Sequence, residues 1–237
     1  MLREIGGPGQ AKLAEATVGI VGAGGLGGPV ALLLAAAGVG TLRLWDDDVV
    51  ELSNLQRQIQ FAESDVGAGK ADAMAARVRA LDSGLRVEAN SVRLGADAAE
   101  ALRGCDVVLD CTDSFASRFH INAASRGLGV PLVSGAAAGW SAQVGVFNAR
   151  PGAPCYRCFV PDAPPDALDC ETVGIVGAVV AAAGSVQALE AVKLVTGAGE
   201  PLLGRLWVWD GLAGRSRTVS VARDPDCPQC GRRAGAS

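Results

Sequence analysis

Three groups of residues have the types and spacing to do chemistry. The first is Gly22-Ala23-Gly24-Gly25-Leu26-Gly27, a G-x-G-x-x-G turn that follows the apolar run Thr17-Val18-Gly19-Ile20-Val21 and precedes an Ala-rich stretch. Glycines in that setting let the backbone approach a phosphate closely, and a helix starting there offers N–H donors and partial positive charge. Asp46 ends the next apolar run, 19 residues past Gly27, where its carboxylate would accept hydrogen bonds from ribose hydroxyls. The turn suits NAD and ATP equally, and a turn that only packs helix on strand would carry the same glycines.

The second group is polar: Asp47 and Asp48, then Ser53-Asn54-Leu55-Gln56-Arg57-Gln58, then Lys70, and later Asp113. A dinucleotide pyrophosphate is held by the glycine turn alone, so extra cations suggest more phosphate. Arg57 could fork onto two oxygens of a triphosphate, and Lys70 could act as a point charge. Asp113 follows the apolar run Asp106-Val107-Val108-Leu109-Asp110 and could order Mg²⁺ together with substrate phosphates. The plainer alternatives are a solvated helix face for the Ser53 to Gln58 stretch and a helix cap, through Arg118, for Asp113.

Cysteines form the third group. Cys155-Tyr156-Arg157-Cys158 and Cys227-Pro228-Gln229-Cys230 are two C-x-x-C knuckles, the spacing at which paired thiolates reach one tetrahedral zinc. Four sulfur ligands leave no open position, so the zinc would be structural and would pin the C-terminal end to the domain. A thioredoxin-like redox pair is the competing reading. Cys170 stands apart, after a Pro- and Asp-rich stretch and before an apolar helix, where a thiolate would be stabilised. It could equally be a residue at the start of that helix with no chemistry. Cys105 and Cys111 sit in an apolar run and read as core. His120 is the one histidine in the chain, which argues against a Ser-His-Asp triad or a histidine metal pair.

These groups need a frame that gathers strand ends. Short apolar runs alternate with longer stretches of helical period, the pattern of βαβ units and a mainly parallel sheet. Strands are predicted at 17–21, 41–45, 85–90 and 105–110, and helices at 25–37, 53–60, 70–81 and from Phe115 onward. Pro131 to Ser134 and the return strand from Trp140 to Phe147 turn the sheet mixed. Residues 159–169 read as a mobile loop and 172–195 as an apolar helix. The expected fold is α/β, a Rossmann-like doubly wound sheet continuing into antiparallel strands, in a single domain over 1–237. Residues 1–135 would be its nucleotide-binding half.

Composition narrows the class further. Across 237 residues, 21 Lys plus Arg face 25 Asp plus Glu, and a net charge of -4 is not built to coat a nucleic acid. An apolar fraction of 49% fills a sizeable core, and the longest apolar run, 173–184, is shorter than a membrane span. With no basic-apolar leader and seven cysteines that read as metal ligands, a nucleophile or core residues and not as disulfides, a cytoplasmic protein free of membrane is expected.

The stretches GAGGLG at 22–27, LWDDDVVELSNLQRQ at 44–58, VGAGK at 66–70 and VLDCTDSFASRFHIN at 108–122 resemble, in this order, the ThiF/MoeB/HesA family of ubiquitin-activating-type adenylyltransferases. The match runs from about residue 4 to 233, and SNLQRQ is its most specific part. The resemblance implies that Gly22, Gly24, Gly25, Gly27, Asp46, Asp48, Ser53, Asn54, Leu55, Gln56, Arg57, Lys70, Asp113 and Ser114 bind ATP and its Mg²⁺. Ser114 stands where Asn is commoner. Arg57, Lys70, Asp113 and Cys170 would serve catalysis or carrier contact, and zinc would sit on Cys155, Cys158, Cys227 and Cys230.

The activity implied is adenylation of the C-terminal glycine of a ubiquitin-like sulfur carrier ending in Gly-Gly, for thiamine or molybdopterin synthesis. Residues 136–237 would be the carrier- and zinc-binding half. The family pattern also implies a homodimer, in which the arginine of an R-Y-x-R-Q segment preceding the part seen here reaches the neighbour's ATP. Without a rhodanese-like stretch, sulfur would come from a separate donor. An NAD-dependent oxidoreductase and a non-catalytic carrier-binding scaffold are the alternatives.

Overall fold

A computed structural model describes residues 2–148, 150–163 and 174–231. Helix α1 (Gly6–Glu15) leads into strand β1 (Thr17–Val21), helix α2 (Gly27–Ala36) and strand β2 (Thr41–Trp45). Helix α3 (Lys70–Leu81), strand β3 (Arg86–Asn90), the short α4 (Ala98–Ala101), β4 (Val107–Asp110) and α5 (Phe115–Leu128) follow. Then come β5 (Leu132–Ala138), β6 (Ser141–Phe147), the one-turn α6 (Tyr156–Phe159), the long α7 (Gly177–Thr196), β7 (Arg205–Asp210) and β8 (Arg215–Ser220).

All eight strands share one sheet in the order β3-β2-β1-β4-β5-β6-β7-β8. The first five run parallel and β6 to β8 antiparallel, the mixed sheet that the sequence predicts. Successive side chains alternate between faces. Val18, Ile20, Leu42, Leu44, Val107 and Leu109 pack on one face under Leu34 of α2, Met74 of α3 and Val180 of α7. Val21, Trp45 and Val108 pack on the other with Leu102, Ile121, Phe147 and Tyr156. Both faces are covered, which is why these strands are nearly continuous apolar runs. Between β1 and β4 the strand order reverses, and at such a switch point the loops part to leave a crevice at the strands' carboxyl ends.

Some predicted bounds move. Strands β1 and β2 and helix α3 stand as expected, but the helix predicted over 53–60 is only a single 3-10 turn, Leu52–Asn54, followed by turns. Polar side chains compete with the helix there: the Asn54 Oδ1 accepts the Glu51 N–H at 3.3 Å, and Gln60 bonds to the glycine turn instead. The apolar helix expected from residue 172 starts at Gly177, because Ile175 bridges to Gly139 in extended form. Residues 164–173, with Cys170 and most of the predicted loop, lie outside the described residues.

Helix α7, at 20 residues, is long and apolar enough to cross a membrane, contrary to the expectation from the apolar run. In this fold it is a core helix. Its Gln187 is fully buried and bonds the Asp110 and Val133 carbonyls, and its buried Glu190 accepts the Leu202 N–H.

Candidate functional site

The crevice at the switch point is a cleft of about 360 Å³. Its floor is the glycine turn. Gly22 has φ +96°, and a Cβ there would lie 2.7 Å from the Cys111 carbonyl oxygen, so the turn presses directly on the loop after β4. Gly25 would put a Cβ 2.7 Å from Val180 of α7. Gly27 would put one 1.9 Å from the Gly22 carbonyl, so Gly27 serves packing and does not line the cleft. Gly24 has room, with nothing nearer than 3.7 Å.

Asp46 sits at the end of β2 beside this floor. Its Oδ2 accepts the Ala23 N–H at 2.6 Å and its Oδ1 the Asp48 N–H at 2.9 Å. Burial pushes this carboxyl above the ordinary aspartate range, opposed by those two N–H donors and by Lys70. Each oxygen keeps a second lone pair for a ligand hydroxyl.

Lys70 opens α3 and is 8% exposed; its Nζ pairs with Asp48 Oδ2 at 3.0 Å. Arg57 lines the cleft, and among the described residues its guanidinium makes one side-chain contact, 3.4 Å to the Ser53 carbonyl. Asn54 lines it too, fixed by its reciprocal bonds with Glu51. Asp113 is exposed and also lines the cleft, and among the described residues no cation lies within ion-pair distance of it. Ser114 borders the cleft while its hydroxyl accepts the Ser117 N–H, so Ser114 and not Asp113 caps α5.

Ser53, Leu55 and Gln56 do not line the cleft. Leu55 packs into the core, and the Gln56 carbonyl abuts Gly177, where a Cβ would lie 2.5 Å away. Gln60 braces the turn instead, donating from Nε2 to the Ala23 and Gly24 carbonyls at 2.9 and 3.1 Å.

Further residues border the cleft that sequence reasoning did not assign, Arg93, Gln58, Thr112 and Arg118 among them. Arg93, three residues past β3, pairs with Asp47 at 3.0 Å. Its position beyond a parallel strand was the available signal. Gln58 lines the cleft and is 3% exposed, and its buried Oε1 has no hydrogen-bond partner among the described residues.

The four knuckle cysteines come together as spacing predicts. Their sulfurs lie within 4.8 Å of one another, with Cys155 to Cys227 at 3.6 Å and Cys158 to Cys230 at 3.4 Å. Zinc–sulfur bonds of about 2.3 Å in a tetrahedron place sulfurs about 3.8 Å apart, so the donor set fits zinc. The Asp224 N–H points at Cys158 Sγ from 3.4 Å, an outer contact that suits a thiolate. Cys105 and Cys111 are buried core thiols, and His120 is exposed on α5 away from the cleft.

The family model described as "ThiF family" matches residues 1–229. The chain belongs to the ThiF family. Over 98% of its length this ThiF-family chain is 44% identical to the sulfur carrier protein ThiS adenylyltransferase of Escherichia coli K12, covering 92% of that protein. It is 42% identical to the adenylyltransferase and sulfurtransferase MOCS3 of Caenorhabditis briggsae, again over 98% of this chain but only 58% of that longer protein. Among solved structures, E. coli MccB with MccA-N7isoASN superposes with a TM-score of 0.84 over 95% of this chain and 70% of that one. At 23% identity that likeness shows the shared fold.

Proposed function

We propose that this ThiF-family chain adenylates the C-terminal glycine carboxylate of a ubiquitin-like sulfur carrier protein ending in Gly-Gly. A carboxylate oxygen of the carrier attacks the α-phosphorus of ATP. The bond from that phosphorus to the bridging oxygen breaks, and pyrophosphate leaves with the electron pair, giving an acyl-adenylate. No general base is needed, because the glycine carboxylate is ionised at neutral pH.

The single observation that carries this reading is the cleft at the switch point, which the glycine turn, Arg57, Lys70 and Asp113 line together. In this reading the turn's N–H groups and Lys70 hold phosphate oxygens, Asp46 accepts ribose hydroxyls, and Arg57 forks onto the α-phosphate as charge builds there. Lys70 would exchange its Asp48 partner for phosphate on binding. Asp113, a hard oxygen donor with no ion-pair partner among the described residues, suits Mg²⁺ shared with the phosphates, where the ion would supply charge neutralisation. The cysteine cluster would hold zinc as a structural ion.

The family pattern extends the proposal to a homodimer in the cytoplasm, supplied with sulfur by a separate donor and serving thiamine or molybdopterin synthesis. Cys170, outside the described residues, would contact the carrier tail. Carrier-dependent ATP–pyrophosphate exchange is the test. Exchange should need the carrier and fall by about 100-fold or more in Arg57→Ala, the scale of losing one transition-state donor. Exchange undiminished in that variant would end the assignment, and tight NAD binding without ATP binding would favour the oxidoreductase.

A further inference from the structure

Next to Asp113, and reaching the cleft through Thr112 and Arg118, lies a buried polar cluster to which the proposed reaction assigns no role. Arg118 of α5 is 6% exposed and Asp110, the last residue of β4, is 1% exposed. The Arg118 Nη2 donates to the Thr112 carbonyl at 2.6 Å, and its Nη1 stands 4.0 Å from Asp110 Oδ2. Asp110 in turn accepts the Thr112 N–H at 3.1 Å, the Thr112 hydroxyl at 2.7 Å and the Ser134 hydroxyl at 2.8 Å. Thr112 is therefore gripped on both of its peptide groups, its N–H by the acid and its carbonyl by the guanidinium. The peptide whose oxygen Arg118 holds is the one that leads into Asp113.

A second element reaches the same cluster. Tyr156, between Cys155 and Cys158 of the first knuckle, is 3% exposed, and its hydroxyl interacts with the Arg118 guanidinium. Its ring is fixed edge-on to Phe147 at 5.7 Å and beside Phe119 at 6.2 Å, and its backbone N–H donates to Asn122 Oδ1 at 2.8 Å. Buried cations are expensive unless paired and fully bonded, so a guanidinium spanning Asp110, Thr112 and Tyr156 has little freedom to move.

We propose that Arg118 is a positioning residue for the nucleotide site: by holding the Thr112 carbonyl it aims Asp113 into the cleft, with Tyr156 of the cysteine knuckle keeping Arg118 in place. The inference rests on the adenylation reading, in which Asp113 orders Mg²⁺. It ties the cysteine knuckle to the nucleotide loop, so the knuckle does more than anchor the C-terminal end. Tyr156→Phe removes the hydroxyl and keeps the ring. Arg118→Lys keeps the charge beside Asp110 but replaces the fork by a point that cannot serve Thr112 and Asp110 together.

Both full-length variants are compared with the parent in carrier-dependent pyrophosphate exchange over a Mg²⁺ titration, and in hydrogen–deuterium exchange of the segment 110–114. The expected result is a rise of about 10-fold in the Mg²⁺ needed for half-maximal exchange in Arg118→Lys, the scale of losing an outer-shell partner. A smaller rise is expected in Tyr156→Phe, with faster deuteration of 110–114 in both and an unchanged melting temperature in Tyr156→Phe. Parental Mg²⁺ dependence in folded variants overturns the proposal; if Arg118→Lys does not fold, Tyr156→Phe decides alone. If the parent itself exchanges no pyrophosphate with any carrier, the adenylation reading fails, and unaltered deuteration of 110–114 then overturns the positioning role separately.

Discussion

Asp46 uses both carboxylate oxygens to tie the glycine turn to the loop after β2, through the Ala23 and Asp48 N–H groups. Burial raises its pKa above the ordinary 3.8, so the folded chain holds this proton more readily than the unfolded chain does. Ionising Asp46 therefore costs the folded state, and its contribution falls as pH rises through the window above 3.8. Asp46→Asn presents one oxygen to two donors, which should cost about 1–3 kcal/mol. The stability gap between parent and variant should narrow as pH rises from about 4 to about 7, because only the parent loses stability there. Urea unfolding at stepped pH measures it, and a gap that widens with pH would contradict burial as the dominant cause. Asp46, Arg57, Lys70 and Asp113 were legible in the sequence because each stands beside a strand end or in a recognisable cassette. Arg93 belongs to no motif, and only the fold brings it to Asp47.

At the scale of elements, the four glycines of the turn divide by what surrounds them. Gly27→Ala would drive a Cβ to 1.9 Å from the Gly22 carbonyl, backbone against backbone where nothing flexible can yield. It should destabilise the protein by about 3 kcal/mol or more. Gly24→Ala meets nothing within 3.7 Å, so it should fold with a stability change of about 1 kcal/mol or less while its methyl intrudes on the cleft. A several-fold rise in the KM for ATP with a near-parental melting temperature is expected for Gly24→Ala; parental ATP kinetics would place the phosphates elsewhere. Nearly continuous apolar runs made β1, β2 and β4 readable, since strands buried on both faces carry apolar residues at almost every position. The stretch 53–60 misled because its helical period is real, yet Asn54 and Gln60 find better partners in Glu51 and the glycine turn. Leu55 shows the same limit, being part of the SNLQRQ cassette while packing into the core.

At the scale of the whole molecule, the two cysteine knuckles join a turn after β6 to the chain beyond β8, some 72 residues apart. With zinc bound, this closure holds the C-terminal end against the body of the domain. Purified protein should contain one zinc per chain, and Cys227→Ser should lower the melting temperature and open the chain beyond β8 to protease. Metal analysis showing no zinc would leave the cluster as four buried thiols. The amino-acid order by itself determined the alternation of strands and helices, the glycine turn with its acid, and the four-sulfur set, because these depend on periodicity and local spacing. Tertiary structure alone decided that Gly22 leans on Cys111, that Arg118 and Tyr156 meet near the loop that carries Asp113, and that Gln58 borders the cleft with a buried oxygen unpaired among the described residues. Those contacts join residues far apart in the chain across a strand-order reversal, and a one-dimensional pattern carries no term for which loops a twisted sheet will set face to face.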